Sequence, residues 1–120
     1  MKEIRMEQKE ALETLAGFNQ GLIKNMNMII RELRGERLDD TDNFLEGILN
    51  AMNWEIEVMN GTMDLLNDGK ERIQKNSFNE RILGLAAAVK EKDDEKIAVA
   101  IQELIPEFEN LQSAAVEVLG

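Results

Sequence analysis

From Leu45 to Leu66 the apolar residues Leu45, Leu49, Met52, Ile56, Met59, Met63 and Leu66 recur at alternating steps of four and three. That spacing puts them on one face only in a helix, where 3.6 residues complete a turn. Asn50, Asn53, Glu57, Asn60, Asp64 and Asn67 make the matching polar stripe. Two further stretches share the pattern: Ala11, Leu15, Phe18, Leu22, Met26, Ile29 and Leu33, then Ile97, Ile101, Leu104, Phe108, Leu111, Ala115 and Val118. The period-two clusters of β-branched and aromatic residues that mark strands are missing. An all-α chain is expected.

The breakers divide it into four helices. The first fills residues 3–34, with Gly35 placed to end it. Asp40, Thr41 and Asp42 offer side-chain oxygens to cap the second, and Gly69 stops it. Residues 68–76 are polar and read as a connection. Ser77-Phe78-Asn79-Glu80 has capping-box spacing and predicts a third helix of about 14 residues burying Phe78, Ile82, Leu85 and Val89. The fourth begins after Asp93 or Asp94. Its stripe continues in phase across Pro106, the single proline, so a kink is expected rather than a break. Residues 1–120 show no repeat or low-complexity stretch, and the expected architecture is one antiparallel up-down four-helix bundle with a short third helix. A third helix of that length cannot cover the first two, so apolar surface should stay open beside it.

Composition narrows the chemistry. The chain holds no His, Cys or Tyr, the residues that supply most general bases, thiol nucleophiles and transition-metal ligands. No catalytic residue, metal or cofactor is expected, and no disulfide or oxidising compartment is implied. A net charge of −10 disfavours nucleic acid and anionic membranes as partners. No apolar run approaches a membrane span, and the opening residues lack a signal-peptide core, so a cytoplasmic protein is expected. The charge is unevenly placed. Residues 35–67 carry eight acidic and one basic side chain and residues 93–120 seven and one, whereas basic residues exceed acidic ones in the other two segments. The second and fourth helices should therefore present acidic faces.

Several individual residues stand out on this background. Asp39, Asp40, Asp42 and Asn43 suggest a calcium loop, but Phe44 and Leu45 stand where an oxygen ligand and a glycine are needed, so capping is the better account. Glu103, Glu107 and Glu109 lack the His of di-iron bundles and read as a solvated face. Gly17 and Gly21, like Gly47, Ala51 and Gly61, suit close helix approach inside the bundle, against a cost of about 1 kcal/mol per helical Gly. Trp54, with Val58 on the same side, lies off the main stripe and is a candidate interface anchor. Glu55 and Glu57 would draw a basic partner, and Phe78 would border the open surface. The seven Met residues read as core fillers.

No residue motif assigns a family, although in size, acidity and helicity the chain is similar to the small export chaperones of flagellar and type III secretion systems. The expected function is that of a non-catalytic helical protein-interaction module, an adaptor or chaperone-like protein that binds another protein or forms a homodimer. The alternatives are a carboxylate-only metal-binding or enzymatic bundle and an antitoxin or inhibitor of a basic protein.

Overall fold

The computed structural model describes residues 2–120, with side chains from Met6 onward. Its described residues form five helices and no strand: α1 Lys2–Leu33, α2 Thr41–Gly61, α3 Met63–Leu66, α4 Lys75–Glu91 and α5 Asp94–Leu119.

Two of the expected boundaries rest on the residues the sequence marks. Gly35 takes the left-handed φ of +118° just beyond α1, and Glu36 N donates to Arg31 O at 3.3 Å, the closing bond of a glycine-terminated helix. Asp93 caps α5, its carboxylate accepting from Lys96 N at 3.1 Å. α5 runs unbroken through Pro106.

Other boundaries differ from expectation. Asp40 stands at the start of α2 but makes no capping bond. Thr41 organises that turn instead, accepting from Leu38 N at 2.8 Å and donating to Glu32 Oε1 of α1 at 2.7 Å. The second helix does not run to Gly69. The run is interrupted at Thr62, whose hydroxyl donates to Val58 O at 2.7 Å beside the ladder bond from its own N–H at 3.0 Å, and α3 follows as a single turn. The Ser77–Glu80 capping box does not form, because α4 starts three residues earlier, at Lys75 with Gln74 before it. Ser77 spends its hydroxyl on Glu107 of α5, donating to Oε1 at 3.0 Å.

The polar connection between α3 and α4 is built around Asn67. Its Oδ1 accepts from the backbone N of Arg72 and of Ile73, both at 2.9 Å, and its Nδ2 donates to Ile73 O at 3.3 Å. Arg72 Nη1 donates to Leu66 O at 3.0 Å and Asp68 O at 2.7 Å, satisfying carbonyls at the end of α3. Gly69 supplies the left-handed turn with φ +81°.

α1 packs along α2 on one side and α5 on the other; α4 packs on α5, and α3 touches α2 and α5. Leu12, Leu15, Met26, Ile29, Met59, Ile101, Leu104, Phe108 and Leu111 are fully enclosed in the core. Phe78 belongs there too. It is 1% exposed and meets Phe108 edge to face at 5.2 Å, which removes it from the candidate partner residues. The remaining seam, between α2 and α4, is a cleft of about 270 Å³ lined by Leu49, Met52, Asn53, Ile82, Leu85 and Val89. Open apolar surface beside the short helix was expected, and α4 is short, with 17 residues against 32 in α1.

Asn67→Ala should lower stability by about 1–3 kcal/mol, because it leaves the Arg72 and Ile73 amides without their acceptor. Urea denaturation followed by helical circular dichroism checks this.

Candidate interaction surface

The buried stripe of α2 is Leu45, Ile48, Met52, Glu55 and Met59, and that of α1 is Leu12, Leu15, Asn19, Leu22, Met26, Ile29 and Leu33. At mid-helix both are rotated by one residue from the expected columns. Phe18 and Trp54 turn outward, while Asn19 and Glu55 turn inward. Ile56 and Leu49, assigned to the stripe from their spacing, are half-buried at its edge. A signal for the inward pair was present: Glu55 lies three residues after Met52 and four before Met59, and Asn19 falls between Leu15 and Leu22 at steps of four and three.

Outside, Phe18 and Trp54 meet edge to face at 5.7 Å with 51% and 38% of their surface exposed. Phe18 also walls a groove of about 520 Å³ between α1 and α2. Phe44 forms another wall, and Gly17, Gly21, Gly47 and Ala51 leave the space between them. A Cβ added at Gly17, Gly21 or Gly47 would meet nothing within 4 Å. These glycines therefore do not serve close packing inside the chain, as their spacing suggested; they leave the groove open.

Charge distinguishes this side of the molecule from the other. Basic residues from elsewhere neutralise α5: Arg37 grips Asp94 at 3.0 Å, Arg34 approaches Glu95 at 3.5 Å, Arg81 reaches Glu103 and Glu107, and Lys70 and Arg72 reach Glu117. Arg37 holds the Asp94 carboxyl below the ordinary carboxylate range, and Lys70 does the same for Glu117. Residues 38–69 contain no Lys or Arg at all. Among the described residues only Asp42 of α2 is in an ion pair, with Arg37 at 2.9 Å, leaving Glu46 and Glu57 exposed and unpaired.

Of the candidate partner residues, Trp54 and Glu57 are exposed and Val58 is half-buried, whereas Glu55 has no exposed surface and cannot face a partner on this surface. Neither Glu55 oxygen has a hydrogen-bond partner. Desolvation pushes its carboxyl from 4.5 up to about 8. Asn19 is better satisfied: Nδ2 donates to Phe108 O at 2.9 Å and Gln112 Oε1 at 3.1 Å, although Oδ1 has no partner. Among the described residues no group of three or more acidic side chains is placed to hold a metal ion, and no helix is long and apolar enough to cross a membrane.

The chain belongs to the family described as a domain of unknown function (DUF8042), which matches residues 10–114. No curated protein and no solved structure matches it.

The raised Glu55 carboxyl sets a direction for stability against pH. The folded state keeps a proton that the unfolded chain has lost, so this contribution is complete below pH 4.5, declines as pH rises and is lost above about 8. Each unit of difference corresponds to about 1.4 kcal/mol, so the decline should reach several kcal/mol. Glu55→Gln should remove the decline and be more stable than the natural chain at pH 9, whereas Glu57→Gln should not. Urea midpoints measured from pH 5 to 9 decide the matter.

Proposed function

We propose that the protein is a non-catalytic helical interaction module that seats a basic amphipathic helix in the groove between α1 and α2. In this reading the four long helices form an up-down bundle whose second helix is the recognition element. The observation that carries it is the open space over Gly17, Gly21 and Gly47. Glycine in a helix costs about 1 kcal/mol relative to alanine, and nothing within the chain requires three of them here. A helix laid into the groove could approach the backbones closely, with Phe18, Trp54 and Phe44 as aromatic contacts. The unpaired Glu46 and Glu57 favour Lys or Arg on the incoming helix.

A second copy of the chain is the other occupant with an observation in its favour. The α2–α4 cleft is apolar, and Leu83 on α4 is 69% exposed. Sedimentation equilibrium separates the two: a dimer whose formation is unaffected by substitutions in the α1–α2 groove would assign self-association to the cleft.

The triple substitution Gly17→Ala, Gly21→Ala and Gly47→Ala should raise the stability of the isolated chain by up to about 1 kcal/mol per site. It should weaken binding of a basic amphipathic helical peptide tenfold or more, as should Phe18→Ala with Trp54→Ala. Titration calorimetry against basic and acidic helical peptides provides the test. Equal binding of both peptide classes, or none of either, would remove the reading.

A further inference from the structure

A carboxyl group in the middle of an otherwise apolar stripe is unnecessary for the fold and unused by the interaction surface. Glu55 occupies the position where Met52 and Met59 call for another apolar side chain, with no exposed surface and no hydrogen-bond partner for either oxygen. Among the described residues the elements around it bring no opposite charge. At this level α1 turns Leu15 and Asn19 to the core, while Glu10, Glu13 and Lys24 are exposed. α3 carries Asp64, which is exposed. Across the cleft α4 presents Ile82 and Leu85; its Lys75 and Glu80 are exposed, and Arg81 is taken by Glu103 and Glu107 of α5. α5 contributes Phe108 and Leu111 to the core, with Glu109 exposed and Glu107 held by Ser77 and Arg81.

α2 is also the long helix with an open flank. It packs along α1 and faces a cleft where α4 would close the bundle. Its two ends are joints: the 34–40 connection on one side, and on the other Thr62, beyond which α3 is docked on α5.

We propose that Glu55 is a proton-operated latch: α2 stays docked while the carboxyl is neutral, and loss of its proton to solvent releases α2 from α1 about the joints at residues 34–40 and Thr62. An unpaired carboxylate in the core is relieved only by water, which α2 admits by separating from its neighbours. The absence of His, Cys and Tyr makes the device unusually clean. The chain has none of the side chains whose ordinary pKa lies between about 6 and 10, so the α-amino group is the other titrating group to control for. Because α2 forms one wall of the α1–α2 groove, the latch would also regulate occupancy of that groove, a consequence that rests on the partner reading above.

Trp54 is the only tryptophan and neighbours Glu55, so it reports on the latch directly. Its emission should be followed from pH 6 to 10 in the natural chain and in the Glu55→Gln, Glu55→Met and Glu57→Gln variants, with helical circular dichroism recorded in parallel. The expected result is a red shift with a midpoint near pH 8 in the natural chain and in Glu57→Gln, with the helical signal kept. Both Glu55 variants should stay flat. The same midpoint in the Glu55 variants, a flat natural chain, or a shift accompanied by loss of helix would each overturn the latch. No partner is present in this titration, so its result is separate from that of the peptide experiment.

Discussion

The seam between α1 and α5 is the contact on which the other placements depend. α5 buries Ile97, Ala98, Ile101, Leu104, Phe108, Leu111, Ala114 and Ala115 against α1 and α4. Asn19 then sets the register, since its amide reaches both the Phe108 carbonyl and the Gln112 side chain. A slide along α5 would break both of these bonds at once, a penalty that apolar packing does not impose. α4 takes its position from the other flank of α5 through Phe78 against Phe108. α2 is fixed only at second hand, through α1.

The ion pairs follow the same hierarchy. Exposed pairs of this kind contribute about 0–1 kcal/mol each, so they do not hold the bundle together. Their placement matters more than their strength. Arg37 ties the α1–α2 connection to the start of α5, and Lys70 and Arg72 tie the α3–α4 connection to its end. The acidity of α5 is thus largely consumed within the molecule, whereas that of α2 remains on the surface. Two segments with nearly the same formal charge differ in what they offer to a partner.

Much of this arrangement was legible in the sequence. The helical periods, Gly35 and Asp93 as boundaries, and continuity through Pro106 all follow from local rules that tertiary packing did not override. The choice of buried column was harder. α1 and α2 each carry apolar residues in two adjacent columns, so spacing alone favoured Phe18, Leu49 and Ile56, and treating Glu as a surface residue hid Glu55. Asn19 turned inward because α5 offers it a carbonyl, a partner that lies 89 residues away in sequence. The Ser77–Glu80 motif misled for a related reason: Glu107 competes for the serine hydroxyl, and no local pattern records that competitor. The uneven charge along the chain was readable, but the internal neutralisation of α5 required its neighbours.

Several features that weaken the fold meet on one element, α2. α2 contributes a glycine to the open groove, holds the unpaired buried carboxyl, borders the unclosed cleft, and ends at the interruption at Thr62. The α1–α5 and α4–α5 seams contain no comparable buried charge. Alanine at Gly47 and an apolar residue at Glu55 would fit the surrounding space and polarity, so folding alone does not explain either residue. A helix that is docked through one neighbour and burdened in this way occupies the low-stability end of the molecule, from which recognition and switching elements are drawn. The weakness of α2 is thus concentrated where the groove, the free acidic charge and the single tryptophan also lie.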